Sequence, residues 1–206
     1  MVKATLITFV ILIATQVNAQ EEQVQWRLNS DDDGIQVYVI DMDGSDIVKA
    51  KAVTVIKSNL DRIRQELDNI DSRHEWVPFL QQSKLIYRTS DSHRLEYSLF
   101  SAPWPASNRD FVYSLERVLE SADQLKYAMK SVSTVRMPEQ EGLIRGEIYE
   151  SIYTLTKLEN NLTKVELIYH ADPKGWLPNW IVNIIQKILP HKILRNLRRR
   201  VELIEA

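Results

Sequence analysis

The fold depends most on one segment near the C-terminus, Lys174-Gly175-Trp176-Leu177-Pro178-Asn179-Trp180-Ile181-Val182-Asn183-Ile184-Ile185. Pro178 suits the first turn of a helix, where the missing N–H is not needed. Beyond it, apolar residues recur at helical spacing as far as Leu189 and predict a long C-terminal helix with one apolar face. Strands precede this helix, so it needs a sheet to pack on, and a curved sheet would leave a space between them. We place the function in that space.

The chain before this helix predicts two or three strands, two short helices and about six further strands. Ile35–Ile40 and Val48–Ile56 alternate as a hairpin, and Ser58-Asn59-Leu60-Asp61 begins a helix in the manner of a capping box. A second short helix carries Trp76. From Ser83 onward the apolar residues alternate, which predicts strands near residues 85–88, 95–99, 111–115, 125–134, 145–158 and 164–170. This order predicts an α+β fold in which one antiparallel sheet wraps against the C-terminal helix.

The N-terminus is typical of an export signal. Lys3 precedes an apolar run from Ala4 to Ala14, and Val17-Asn18-Ala19 matches a signal-peptidase site. An uncleaved anchor is the alternative, although the run is shorter than the roughly 20 residues that span a bilayer. We therefore predict a signal peptide over residues 1–19, cleavage after Ala19, and a single-domain, monomeric mature chain over residues 20–206.

Composition excludes several classes of site. The chain has no cysteine, which excludes disulfides, thiol nucleophiles and thiolate metal sites. Its 26 Lys and Arg against 28 Asp and Glu argue against a nucleic-acid partner. Its 4 histidines are scattered without metal-ligand spacing, and no phosphate-binding glycine loop occurs. We expect no cofactor, and an exported protein without disulfides favours the bacterial periplasm.

Three segments in order resemble a known family: Pro103–Val112, which runs a proline-rich loop into Arg-Asp-Phe-Val; Met137–Glu147; and Asp172–Pro178. Over roughly Trp26 to Glu202 the chain resembles a START domain, the lipid-transfer family related to the steroidogenic acute regulatory protein. The resemblance implies a helix-grip fold that binds one lipid or sterol in a closed tunnel. It also implies that the C-terminal helix forms the roof and gate of that tunnel, and that the protein is not an enzyme.

Apolar walls are what such a tunnel requires, since each buried methylene contributes about 0.8 kcal/mol. Strand alternation and the helix supply a set of candidate wall residues. They are Trp76, Phe79, Leu80, Phe111, Tyr127, Tyr153, Trp180, Ile181, Ile184, Ile185 and Ile188. Ordinary core packing is the alternative for each of them.

Glu96 is the polar candidate. The resemblance places it at an inward-facing acidic position of some sterol-binding members, whose partner is an arginine one strand later; Leu115 stands there in this chain. A carboxylate in an apolar tunnel needs a basic partner or a raised pKa. Arg109 or Arg117 is the predicted substitute, and a solvated Glu96 is the alternative. Arg109 itself either contacts the ligand or fixes the loop before its strand.

Five residues are candidates for the gate and for membrane contact. Trp104, between two prolines, either caps the tunnel mouth, touches a bilayer interface or packs within its loop. Pro190 is predicted to kink or interrupt the helix and to act as a flexible point. Arg195, Arg198 and Arg199 belong to a basic helix end that either docks on anionic lipid or is simply solvated.

Two other functions stay open from the sequence. A helix-grip enzyme of the aromatase or cyclase type would need an acid or base in the cavity, and Glu96, His74 or Tyr153 could serve. An interaction module would use Trp104 and the basic helix to contact a partner, with its tunnel left as a vestige.

Overall fold

The computed structural model of the protein describes residues 25–204, so the predicted signal peptide lies outside the described residues. The strands are β1 (Arg27–Asp32), β2 (Ile35–Met42), β3 (Ser45–Ile56), β4 (Leu80–Arg88), β5 (His93–Phe100), β6 (Arg109–Glu120), β7 (Gln124–Ser131), β8 (Ile144–Arg145), β9 (Glu147–Lys157) and β10 (Thr163–Asp172). The helices are α1 (Leu60–Asp68), a 3₁₀ helix (Arg73–Glu75) and α2 (Asn179–Ile204). Within residues 25–204, none of the helices is both long enough and apolar enough to cross a bilayer.

The strands form one open sheet in the order β1-β2-β3-β10-β9-β7-β6-β5-β4, and β8 pairs with β6 outside this path. Every pair along the path is antiparallel, while β8 runs parallel to β6. Register shifts interrupt several pairs, including β6 with β7 and β9 with β10. Such bulges increase local twist and bend a sheet. The predicted α+β helix-grip fold is confirmed.

One predicted strand is divided in two at Gly146. The segment 145–158 was expected to be continuous, but it contains β8 and β9, with Gly146 between them. A side chain at Gly146 would overlap the ring of Phe111, whose Cδ1 would lie only 3.0 Å from an added Cβ. Glycine therefore lets the backbone pass close to the aromatic ring of β6.

The α1 helix begins where its sequence predicts. The Asn59 side chain caps it by accepting a hydrogen bond of 2.8 Å from the backbone N–H of Arg62. Its inward face buries Ile63 and Leu67 in the core. The 3₁₀ helix then brings Trp76, which follows it directly, against the interior of the sheet.

The α2 helix is continuous through Pro190, so of the two predicted alternatives, a kink or an interruption, the interruption is excluded. Proline inside a helix removes one backbone hydrogen bond and costs about 3 kcal/mol. Leu189 before it and Ile193, Leu194 and Leu197 after it are buried in the main core. Their burial offsets this cost, at about 1.5–3 kcal/mol for each large aliphatic side chain.

Candidate functional site

A mostly apolar cavity of about 90 Å³ lies between the sheet and the segment that carries Trp76. Five strands, β5, β6, β7, β9 and β10, supply most of its wall. The lining side chains are Leu67, Arg73, Trp76, Val77, Leu80, Ser98, Phe100, Phe111, Tyr113, Leu115, Tyr127, Met129, Ile148, Ser151, Tyr153, Leu167, Tyr169 and Ile193. Drug-sized ligands occupy pockets of about 300–1,000 Å³. A lipid would therefore enter only if this cavity widens.

The roof of the cavity differs from the expectation. The α2 helix contributes only Ile193 to the lining among the residues that the structure describes. The segment from Arg73 to Leu80 supplies most of the side opposite the sheet. α2 holds this segment in place, because the Asn196 side chain donates a hydrogen bond of 2.9 Å to the Trp76 carbonyl oxygen. The Lys192 ammonium also lies over the Phe79 ring, 5.6 Å from its centroid.

A buried charge network closes one side of the cavity. Glu96 is 0% exposed and is paired with two arginines. Arg94 Nε donates to Glu96 Oε1 at 2.6 Å, and Arg73 Nη1 contacts Glu96 Oε2. The Tyr113 hydroxyl donates to the same Oε2 at 2.9 Å, and Arg94 Nη1 donates to Asp68 Oδ1 at 3.0 Å. Two positive and two negative side chains are thus brought together.

The network is extended into the cavity wall by neutral groups. The Ser98 hydroxyl lies 3.0 Å from the Tyr113 hydroxyl, and both residues line the cavity. Arg73 Nη2 donates to the Leu67 carbonyl oxygen at 2.9 Å, which ties the 3₁₀ helix to the end of α1. Every member of the cluster therefore has at least one partner, as buried polar groups require.

Electrostatics keep the network in its charged form. Burial alone would raise the pKa of Glu96, but Arg73 and Arg94 outweigh burial and lower that pKa. Burial would likewise lower the pKa of Arg73, and the carboxylate of Glu96 outweighs it and raises the pKa. Burial raises the pKa of Tyr113, Tyr153 and Tyr169, the last to about 12. These phenols stay neutral, and Glu96 stays ionised, near neutral pH.

This network corrects the predicted partners of Glu96. Arg109 points away from it, since its Nη1 contacts the Ser107 carbonyl oxygen and its side chain does not line the cavity. Arg117 instead pairs with Glu120 at 3.0 Å. Glu96 is buried, so it is not solvated, and its partners are Arg73 and Arg94. The loop-fixing role of Arg109, which was one of the two alternatives, agrees with its contact.

Arg145 connects two of the three motif segments in the folded structure. Its guanidinium binds the Asp110 carboxylate with both arms, at 2.8 Å from Nε and 3.0 Å from Nη2. It also donates to the backbone oxygens of Met137 and Pro138. A bidentate pair of this kind is strong and directional. It joins the loop before β8 to the beginning of β6. These two motif segments therefore stabilise the part of the cavity wall that β6 supplies.

Of the eleven predicted wall residues, five line the cavity and six do not. Trp76, Leu80, Phe111, Tyr127 and Tyr153 belong to the first group. Glu96 lies behind the wall, covered by Arg73 and Tyr113. Phe79 is largely exposed with a positive φ of 65°, and its carbonyl oxygen accepts a hydrogen bond of 2.9 Å from the Ser101 N–H.

The expected apolar stripe of α2 faces outward. Ile184, Ile185 and Ile188 are between 39% and 46% exposed, Trp180 is exposed, and Ile181 is only partly buried. The prediction that this stripe lines the cavity is therefore wrong. The helix instead buries an adjacent face that contains Val182, Gln186 and Leu189. Polar contacts of Asn183 and Gln186 select that face.

Asn183 holds the first half of α2 against the hairpin of β2 and β3. Its side-chain Oδ1 accepts from the Val48 N–H at 3.0 Å, and its Nδ2 donates to the Asp46 carbonyl oxygen at 2.9 Å. Gln186 adds a contact from its Nε2 to the Ala171 carbonyl oxygen. These side-chain amides form hydrogen bonds with backbone groups of the sheet. They thereby set the rotation of the helix about its axis, which directs the isoleucines toward solvent.

The predicted gate and membrane residues are dispersed. Trp104 is 93% exposed, so it does not pack within its loop. Arg198 binds Asp33 through a contact of 2.6 Å and is occupied by it. Arg195 is partly buried, and Arg199 is exposed. Pro190 is buried within the continuous helix.

Sequence reasoning missed the two arginines that bind Glu96. Arg94 precedes it by two residues on β5, so alternation places both side chains on one face, and this spacing could have revealed the pair. Arg73 lies on a different element, and no periodicity connects it to β5. Tyr113 stands opposite Glu96 in the register of β5 and β6.

The sequence and the fold both match one family of proteins. The START domain family model matches residues 14–204. The chain belongs to the START domain family. It is 25% identical over 162 residues to mouse phosphatidylcholine transfer protein, which covers 77% of this chain and 75% of the relative.

Solved START structures show the same architecture. A STAR-related lipid transfer protein fragment from Xanthomonas axonopodis is 28% identical, with a TM-score of 0.76 over 86% of this chain and 98% of that one. Human STARD10 has a TM-score of 0.81 over 88% of this chain and 75% of that one, at 21% identity, which speaks to the fold alone. The family and fold support lipid binding as the general function of this START domain.

Proposed function

We propose that this START domain binds one hydrophobic molecule in the cavity beneath Trp76 and carries it without chemical change. The observation that carries the proposal is a cavity lined chiefly by apolar side chains, in a chain that belongs to the START domain family. Such a cavity excludes water from an acyl chain or ring system. Two of the three residues considered for the aromatase or cyclase alternative do not suit it, because Glu96 is held ionised between two arginines and His74 is exposed.

The gate in this proposal combines α2 with the segment Trp76–Leu80. Movement of that segment would widen the cavity, since it covers the side opposite the sheet. Within residues 25–204, the polar contacts from α2 to this segment are one hydrogen bond from Asn196 and one cation–π contact from Lys192. A shift of α2 would release both. The C-terminal helix thus gates the cavity indirectly, by releasing the segment that it clasps.

Native mass spectrometry of protein purified from its own host tests the carrier function. We expect a monomer of the chain cleaved after Ala19, with one co-purifying hydrophobic molecule that is lost on unfolding. Cleavage would support export to the bacterial periplasm, which the missing cysteines favour. An empty protein that also takes up no added lipid would contradict the carrier function and favour the interaction module.

We propose further that the outward face of α2, formed by Trp180, Ile181, Ile184, Ile185 and Ile188, contacts an anionic bilayer. Tryptophan favours the bilayer interface, and an exposed apolar helix face favours its surface. No acidic residue occurs between Asn179 and Val201, while Lys187 and Lys192 lie on this helix. Anionic lipid attracts such a segment. The surface is distinct from the basic C-terminal end, where Arg198 is already paired.

Sedimentation with anionic vesicles tests this surface. We expect the double substitution Ile184→Ser and Ile188→Ser to weaken vesicle binding about tenfold, because it removes two apolar side chains from the contact. The matched control is Arg199→Ser, a single exposed charge, which should change binding by about twofold. The opposite ranking would show that the basic end is the docking surface.

A further inference from the structure

We infer that a charge latch, formed by Arg73, Arg94 and Glu96, controls the opening of the segment Trp76–Leu80. In the closed state Arg73 binds Glu96, and when the segment opens Arg94 takes over both oxygens of that carboxylate. This inference rests on the proposed carrier function, since a carrier has to open to load its ligand. One arginine adjoins the segment that moves, and the other belongs to the sheet that stays.

Arg73 is attached to the moving segment. The backbone N–H groups of Trp76 and Val77 both donate to the Arg73 carbonyl oxygen, at 3.3 and 2.9 Å. Outward movement of the segment therefore pulls on Arg73, whose side chain lines the cavity and contacts Glu96 Oε2 through Nη1. Separating a buried ion pair is strongly unfavourable unless another charge replaces the one that leaves.

Arg94 remains beside Glu96 whether the segment is open or closed. Both residues lie on β5, two positions apart, so their side chains share one face of the sheet. The strand is paired with β4 on one side and with β6 on the other, which fixes its backbone. Arg94 Nε donates to Glu96 Oε1 at 2.6 Å, and its Nη1 donates to Asp68 at 3.0 Å. Glu96 therefore keeps one arginine after Arg73 has moved away.

Arg94 also has one donor in reserve. Its Nη2 is buried and has no hydrogen-bond partner within residues 25–204. An arginine binds both oxygens of a carboxylate through two parallel N–H groups, and Arg145 does so with Asp110 through Nε and Nη2. Since Nε of Arg94 already binds Glu96 Oε1, its Nη2 is the donor that can take Oε2 once Arg73 leaves. An unpaired buried donor is costly in the closed state, so its pairing offsets part of the cost of opening.

Hydrogen exchange in the ligand-free protein tests the latch. The N–H groups of Trp76, Val77 and Leu80 are hydrogen-bonded within residues 73–80, so their exchange reports how often the segment opens. Arg73→Met removes the contact that opening must break, and it should speed this exchange about tenfold. Arg94→Met removes the replacement partner, and it should slow the exchange about tenfold. Two variants that each remove one arginine from the same carboxylate are thus expected to act in opposite directions.

The matched control is Arg88→Met, which removes an exposed arginine opposite Arg94 in the register of β4 and β5. Its exchange rate should differ from that of the wild type by less than about twofold, because exposed charges contribute little. Faster exchange in both Arg73→Met and Arg94→Met would overturn the inference, since each arginine would then only stabilise the closed state. Unchanged exchange in either variant would overturn it as well.

Arg94→Lys decides the case in which Arg94→Met does not fold. Lysine keeps the positive charge but cannot donate to both oxygens of Glu96 in parallel, so it should slow the exchange about threefold. A wild-type rate in this variant would overturn the replacement by Arg94. Release of a phosphatidylcholine with a fluorescent acyl chain to acceptor vesicles should follow the same ranking. A probe that never binds the wild-type protein would contradict the carrier function, and the exchange rates alone would then decide the latch.

Discussion

Replacement of Glu96 by alanine is expected to lower the free energy of unfolding by about 3–5 kcal/mol. The carboxylate is fully buried and binds two arginines and the Tyr113 hydroxyl. Without it, Arg73 is left buried with no carboxylate partner, while Arg94 retains Asp68. Removing one partner of a buried ion pair is much more damaging than removing both. Urea denaturation of the two proteins measures the difference.

An exposed ion pair provides the matched control. Asp41 lies 2.9 Å from Arg27, and both side chains are largely exposed. Asp41→Ala should change the free energy of unfolding by about 0–1 kcal/mol. The double substitution Arg73→Met and Glu96→Met should recover part of the loss, since it removes both buried charges. A loss below about 1 kcal/mol in Glu96→Ala would contradict the buried network and place Glu96 in contact with water.

The order of strands and helices could be predicted because most elements carry their own periodic pattern. β5 alternates over Leu95, Tyr97 and Leu99, and α1 has a cap and an apolar face within one short stretch. β1 was not predicted individually. Its six residues, Arg-Leu-Asn-Ser-Asp-Asp, include one apolar side chain, and the strand lies exposed at the sheet edge. An edge strand with no buried face leaves no alternation to detect.

The orientation of α2 could not be predicted from its own sequence. Two apolar stripes lie side by side on this helix, one with Ile181, Ile184 and Ile188 and the other with Val182 and Leu189. The choice between them depends on where Asn183 and Gln186 find backbone partners, at Asp46, Val48 and Ala171. Those partners lie on other elements. Local periodicity therefore shows that the helix is amphipathic, and tertiary hydrogen bonds decide which side is buried.

The polar residues of the site also differ in whether their contacts could be predicted from the sequence of one element. Alternation along β5 places Arg94, Glu96 and Ser98 on one face, which a reading of spacing alone can recover. Arg73 reaches Glu96 from the 3₁₀ helix, and its position depends on how the chain returns after α1. Contacts within one element can be inferred from its sequence, whereas contacts between elements need the packing of the whole domain.

Replacement of Trp76 by alanine is expected to lower the free energy of unfolding by about 3–5 kcal/mol and to enlarge the cavity. The indole is 3% exposed and forms part of the cavity wall. Its removal deletes apolar contacts on the side opposite the sheet, which the surrounding residues can refill only in part. The backbone carbonyl oxygen of residue 76 keeps its hydrogen bond from Asn196, so the change acts on packing. Denaturant unfolding gives the size of the loss.

Trp180→Ala is the matched control, because the same side chain is removed at a position that is 65% exposed. A surface substitution of this kind should change stability by no more than about 0.5 kcal/mol.

Lipid binding by Trp76→Ala distinguishes a ligand cavity from an ordinary hydrophobic core. A bulky uncharged lipid that the wild-type cavity excludes should bind Trp76→Ala and restore part of its stability, because a ligand that binds only the folded state stabilises it. Trp76→Ala that is destabilised but gains no affinity for any bulkier lipid would mean that Trp76 packs a closed core and does not bound a ligand site.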